Sequence, residues 1–277
     1  MNKFIIFHPL FNEKELYKIM YAYYEKIIIL LYEIEEDNTI IELPINYNFT
    51  KIIFENDIEE TTKIHKYEKK GDYIIKIYGD VKSLNYMNYT YGIAKMGFFL
   101  KEVIDYGYLE DFNFAYNRKL IKVPNYLPDN VYCLKNMFFC CKNFNCDISN
   151  WDVSRVTNMK GLFFNAQSFN QDISNWNVSN VTNMNSLFLN TNEFNQDISK
   201  WDVSQVTDMT DMFFFAKNFN KDISSWNVSN VENMNQMFYY AKKFNQNISN
   251  WKCDKVINSK FMFNYALDME EENKPYL

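Results

Sequence analysis

The chain has 277 residues, 47% apolar and 23% charged, with a formal net charge of −6 and a pI near 5.1. That balance excludes a disordered chain and gives no basic face for nucleic acid. With six glycines, five prolines and only two histidines, His8 and His65, it also lacks GxxxxGK or GxGxxG phosphate cradles and the usual histidine sets for catalysis or zinc.

In chain order, residues 4–7 read as a short strand and 12–24 as a helix, with Leu16, Ile19, Met20 and Tyr23 on one face and Asn12 as its cap. His8, Pro9, Glu13 and Glu15 break the opening apolar run, which makes a poor signal peptide. The longest apolar run, residues 27–32, falls far short of the roughly 20 residues that span a bilayer. A cytoplasmic or virion-associated location without a membrane span is therefore expected. Strands are predicted at 27–34, 39–43, 50–54, 61–67 and 73–78, with Lys69-Lys70-Gly71-Asp72 as a hairpin turn. Residues 1–97 are expected to form a small α+β or β-rich domain that caps the open end of the C-terminal coils.

Residues 98–130, with Leu120, Val123, Pro124, Leu127 and Pro128, read as an irregular first coil. Beyond them the chain repeats. The five tryptophans, Trp151, Trp176, Trp201, Trp226 and Trp251, are spaced by 25 residues without error. Phe-Asn recurs from Phe144-Asn145 to Phe244-Asn245, and Ile-Ser from Ile148-Ser149 to Ile248-Ser249. Val156 and Met159 recur in the same way. Such a period marks stacked units, none of which buries its apolar face alone.

Within a unit, Trp151 and Val153 alternate with polar residues, which suits a short strand. Val156, Met159, Phe163 and Ala166 fall at helical intervals behind Ser154, a residue able to cap a helix. The expected fold is therefore a leucine-rich-repeat-like α/β solenoid. Each 25-residue coil contributes a short strand and a short helix, with five coils over 131–268 and a tail at 269–277. Asn145 and its equivalents mark bends, where Asn and Asp replace the missing glycines through local side-chain hydrogen bonds and tolerance of positive φ. The tryptophans are expected to form a structural ladder. Each buries about 150–250 Å², worth at most about 4–6 kcal/mol at about 25 cal/mol per Å².

The pattern FNQDISNWNVSNVTNM followed by Phe-x-x-Ala, seen intact at 169–184, resembles the repeat of a domain family found in mycoplasma lipoproteins and bacterial surface proteins and related to BspA-type leucine-rich repeats. The resemblance covers 131–266 strongly and 98–130 weakly, and giant DNA viruses also carry such repeats. It implies a leucine-rich-repeat-like solenoid and, by analogy, adhesion or protein binding. Residues 51–81 resemble, more loosely, the small β-sandwich that often precedes these repeats.

The period decides among candidate sites. Cys133, Cys140, Cys141, Cys146 and Cys253 fall on repeat positions held elsewhere by Asn, Ala, Gln or Val, so they read as substitutions within units and not as a metal cluster. Asp147, Asp172, Asp197 and Asp222, with Asn247 ending the column, read as caps of local backbone, with Ca²⁺ ligation as the alternative. Asp152, Asn177, Asp202, Asn227 and Lys252 form an outward strand row, the candidate partner-facing surface. No catalytic set, cofactor or metal is expected. The function expected is a non-enzymatic scaffold for protein–protein interaction, a virion or host-interaction component, with a carbohydrate-binding or adhesive module as the alternative.

Overall fold

A computed structural model describes residues 27–45, 49–54, 58–79, 81, 83–85, 98–107, 109 and 111–277. The strand expected at 4–7, the helix expected at 12–24 and His8 lie outside these residues.

The described residues between 28 and 113 form nine strands: β1 Ile28–Ile34, β2 Thr39–Glu42, β3 Phe49–Ile53, β4 Glu59–Glu60, β5 Ile64–Tyr67, β6 Gly71–Gly79, β7 Ser83–Asn85, β8 Phe98–Tyr106 and β9 Asp111–Asn113. The largest sheet has the order β4-β3-β6-β1-β8 and is antiparallel throughout. β1 lies between β6 and β8, which pair both its edges, and its side chains are buried on both faces, Leu30 and Tyr32 in the main core and Ile29 in a smaller cluster, which explains its unbroken apolar run IILLY. β2 pairs with β5 in a second sheet, and β7 pairs with β9 in a third. Residues 69–72 therefore carry the chain between two sheets and do not close a β5–β6 hairpin. β8, inside the stretch read as a first coil, extends the sheet across position 97. Its far edge meets the chain that leads to the repeats: Val103 donates to the Lys122 carbonyl and Ile121 to the Lys101 carbonyl, both at 3.0 Å.

The repeat region corrects the expected fold class. No α-helix occurs among the described residues, the one helical element being a short 3-10 turn at Glu271–Asn273. No strand is assigned at 150–154 or its equivalents, and the sheets lie before the repeats and do not run along them. A leucine-rich-repeat-like solenoid of strand-plus-helix coils is not what this chain forms.

The physical reason is a division of the backbone donors. Met159, Gly161, Phe163 and Asn165 donate to the carbonyls of Asn183, Asn185, Leu187 and Leu189 in the next unit, at 2.7–3.0 Å. The intervening Leu162, Phe164 and Ala166 donate three residues back, to Met159, Gly161 and Phe163. An α-helix needs every N–H directed four residues back, and half of them are committed elsewhere. Two residues per unit also take left-handed backbone, at 136, 161, 186, 211, 236 and 261 and at 140, 165, 190, 215, 240 and 265, which no right-handed helix admits. At Gly161 the slot is crowded as well: a Cβ there would stand 2.3 Å from the Asn136 amide oxygen.

Units thus lie side by side, joined by single parallel bridges from Cys133 through Asn158, Asn183, Asp208 and Asn233 to Asn258. Rings fill the space between them. Trp151–Trp176 and Trp176–Trp201 centroids lie 6.4 and 6.5 Å apart with planes within 4° of parallel, and Trp226–Trp251 lie 6.3 Å apart at 6°. Each indole N–H donates back to an earlier carbonyl, as Trp201 does to Ile173 at 3.1 Å. Phe163 stacks on Phe169 at 3.8 Å within its unit and on Phe188 at 5.7 Å in the next.

The bend asparagines do something other than adopt positive φ. Asn145, Asn170, Asn195 and Asn220 each accept, through the side-chain oxygen, the N–H of the next Asn in the column at 2.9–3.0 Å. Ser154 is not a helix cap; its N–H donates to the Asp152 carboxylate at 3.0 Å.

Candidate functional site

Asp152, Asn177, Asp202, Asn227 and Lys252 are all exposed. The side-chain oxygens of the first four are engaged locally. The Asp152, Asn177, Asp202 and Asn227 side-chain oxygens accept the N–H of Ser154, Ser179, Ser204 and Ser229 at 3.0–3.2 Å. The Ser154 hydroxyl and then its N–H hold the Asp152 carboxyl below the usual carboxylate range, and Ser204 does the same for Asp202. The row is a set of closed turns on a solvated side.

The second aspartate column, also exposed, behaves likewise. Asp147, Asp172, Asp197 and Asp222 accept from Ser149, Ser174, Ser199 and Ser224 at 2.9 Å, and Asn247 accepts from Ser249. Among the described residues no group of three His, Cys, Asp or Glu is placed to hold a metal ion. The cysteines are free thiols; Cys141 is buried, its thiol 3.0 Å from the Phe114 carbonyl, and burial pushes its pKa well up. His65 stacks on Phe54 at 4.3 Å and meets the Glu60 carboxylate through Nδ1 at 2.8 Å.

The surface that sequence reasoning missed lies on the turn segment, at two adjacent columns. One reads Phe139, Phe164, Leu189, Phe214, Tyr239, Asn264; the other reads Cys140, Asn165, Asn190, Phe215, Tyr240, Tyr265. The rings stack along the units: Phe214 on Tyr239 at 4.8 Å, Phe215 on Tyr240 at 4.6 Å, Tyr240 on Tyr265 at 4.4 Å. All five of these side chains are partly or fully exposed. They form an aromatic ridge over the last three units, double where Phe214 and Tyr239 stand beside Phe215 and Tyr240; the second column shows Asn165 and Asn190 in earlier units, whereas the first already carries the stacked Phe139 and Phe164.

The backbone under this ridge is costly. Phe215, Tyr240 and Tyr265 hold φ of 57°, 56° and 61°, as Asn165 and Asn190 do at 56° and 54°. Asn tolerates that conformation, whereas for a bulky side chain it is an outlier costing about 1–2 kcal/mol. Strain of this kind concentrates where function retains it. The sequence signal was present in the dipeptides Phe214-Phe215 and Tyr239-Tyr240, 25 residues apart, whose second residues replace the Asn of earlier units without serving the core.

No helix among the described residues is long and apolar enough to cross a membrane. A family model described as "Mycoplasma protein of unknown function, DUF285" matches residues 110–209 and 175–276, together more than half of the chain. No curated protein and no solved structure matches.

Proposed function

The chain belongs to the DUF285 family, and from that premise we propose that it is a non-enzymatic scaffold whose repeats present an aromatic ridge to a protein partner. The observation that carries this reading is the left-handed backbone of Phe215, Tyr240 and Tyr265, in a slot where Asn fits with less strain. Contact surfaces draw their affinity from such rings, since Tyr and Trp dominate binding hot spots. The resemblance of the repeat to that of BspA-type surface proteins supports the same class of role, in a virion or at a host contact. The polar row from Asp152 to Lys252 supports it less, because its oxygens are occupied by their own turns.

The test compares two surfaces of the full chain in the cells that make it. A photo-crosslinking residue at Tyr239 is expected to trap one protein partner, and the Phe215→Asn/Tyr240→Asn variant to abolish the adduct while melting no lower than the parent. Trapping from Asn177 instead of Tyr239 would refute the ridge. A glycan-array signal with no protein adduct would favour the adhesive, carbohydrate-binding alternative.

A further inference from the structure

The units are polar along the stack. In each internal unit four alternate N–H groups point forward, toward higher residue numbers, and the next unit meets them with four carbonyls. Met234, Gln236, Phe238 and Tyr240 donate to Asn258, Lys260, Met262 and Asn264 at 2.8–2.9 Å. In the last unit the equivalent donors are the N–H groups of Ser259, Phe261, Phe263 and Tyr265, and none of them has an acceptor among the described residues. The Ile257 carbonyl, whose equivalent at Glu232 accepts from Ile257 itself at 2.9 Å, is also unmet. Phe261 and Tyr265 hold φ of 59° and 61°, which keeps the row aimed outward as in every unit before it.

The same end is apolar. Of the eleven large hydrophobic side chains exposed among the described residues, six lie within 257–277. Ile257 is 80%, Phe261 57%, Tyr265 53% and Leu267 70% exposed, beside the open donors. The tail shields part of this end: Met269 is buried, Asn273 accepts from the Ile248 N–H at 2.9 Å, and the Lys274 ammonium lies 5.5 Å from the ring centre of Phe263, whose N–H stays unmet. A row of unmet backbone groups flanked by apolar surface is a template for chain addition.

We propose that this end binds an extended polypeptide segment of a partner protein, running parallel to residues 257–265. Its alternate carbonyls accept from Ser259, Phe261, Phe263 and Tyr265, and its apolar side chains cover Phe261 and Leu267. The occupant is read from the interface between units, which this surface continues: each earlier row is covered by a parallel segment of that kind. A second copy of the chain does not fit. Two such ends would set donors against donors, and at the other end of the stack the Met137 and Phe139 carbonyls already accept from Phe114 and Tyr116 at 2.7 Å.

The probe is a synthetic peptide bearing residues 230–244, the segment that occupies the equivalent place over the row at 209–215. Titrated into the full chain, it is expected to shift the amide resonances of Ser259, Phe261, Phe263 and Tyr265 saturably. Phe261→Asn, which suits the left-handed backbone and removes the ring, is expected to weaken the dissociation constant about tenfold. Absence of saturable binding, shifts confined to other residues, or self-association of the chain that protects these amides would each overturn the proposal. The Phe215→Asn variant, whose lost ring stacks on Tyr240 and not on the open row, is expected to bind the peptide like the parent, so failure here is separable from failure of the lateral ridge.

Discussion

The backbone N–H of Phe213 donates to the carbonyl of Met237, one unit on, at 2.9 Å, while its neighbour Phe214 turns back to Asp211 at 3.1 Å. That alternation, repeated at every unit before the last, couples local turns to long-range stacking. It explains why a sequence with helical spacing forms no helix. It also places the side chains of successive units in register, so that core rings stack and surface rings form a ridge.

Asn170 is a test of the amide column. Its side-chain oxygen accepts the Asn195 N–H at 2.9 Å and the Gln196 amide at 3.0 Å. Asn170→Ala leaves the Asn195 N–H unmet in a partly buried place, while the Gln196 amide keeps the Asn170 backbone carbonyl at 2.9 Å, and is expected to cost about 1–3 kcal/mol. Asn170→Asp keeps the acceptor and is expected to recover most of that loss. Urea denaturation of the two variants checks the difference; equal destabilisation would assign the column no bonding role.

Trp201 is buried and bonded to the Ile173 carbonyl, with the Trp176 ring parallel to its own. Trp201→Ala is expected to cost about 3–5 kcal/mol. Because each unit rests on its neighbours, the loss is expected to spread to units on both sides, visible as faster amide exchange at Phe188 and Phe238. Exchange altered in one unit alone would contradict that coupling.

Asp211 sits in the left-handed slot at φ 57°, its Oδ1 buried without a hydrogen-bond partner. Burial, and then the charge of Asp208, hold its carboxyl above the usual range. A raised carboxyl favours the folded state when protonated, so its charged form detracts from stability as pH rises through the unfolded and then the folded value. Asp211→Asn is expected to raise the melting temperature at pH 7 by about 2 °C, with the gain shrinking in acid. A gain that persists unchanged at pH 3 would exclude this cause.

The surface aspartates act in the opposite sense. Ser hydroxyls and N–H groups hold Asp152, Asp172 and Asp202 below the ordinary value of 3.8, as the Ser199 N–H and then its hydroxyl hold Asp197. Their contribution is present above that value and is lost as pH falls through the lower, folded values. Urea midpoints are expected to be flat across neutral pH from this cause and to drop below pH 3.8. Ser204→Ala is expected to reduce the size of that drop.

Period and strands were legible; the local conformation of the repeat was not. The strands expected at 27–34 and 39–43 appear as β1 and β2, because alternation or an apolar run records which faces are covered. Val156, Met159, Phe163 and Ala166 also match a helix, yet the spacing reports only which side chains face inward. It does not reveal that Met159 and Phe163 donate across to the next unit. The left-handed residues were equally hidden, since Ser186, Gln236 and Phe261 share one slot with Gly161. Only the stacked neighbour imposes that conformation. The ridge was visible as a departure from the repeat, but the regular polar row from Asp152 to Lys252 masked it.

The decisive measurement is a through-hydrogen-bond coupling observed by NMR on the full chain, labelled with ¹⁵N and ¹³C. Stacked turns predict a coupling from the Phe213 nitrogen to the Met237 carbonyl carbon, with none from Phe213 to the Met209 carbonyl four residues back. A Phe213–Met209 coupling, with none to Met237, would show a helix at this position and would contradict the stacking of turns between units.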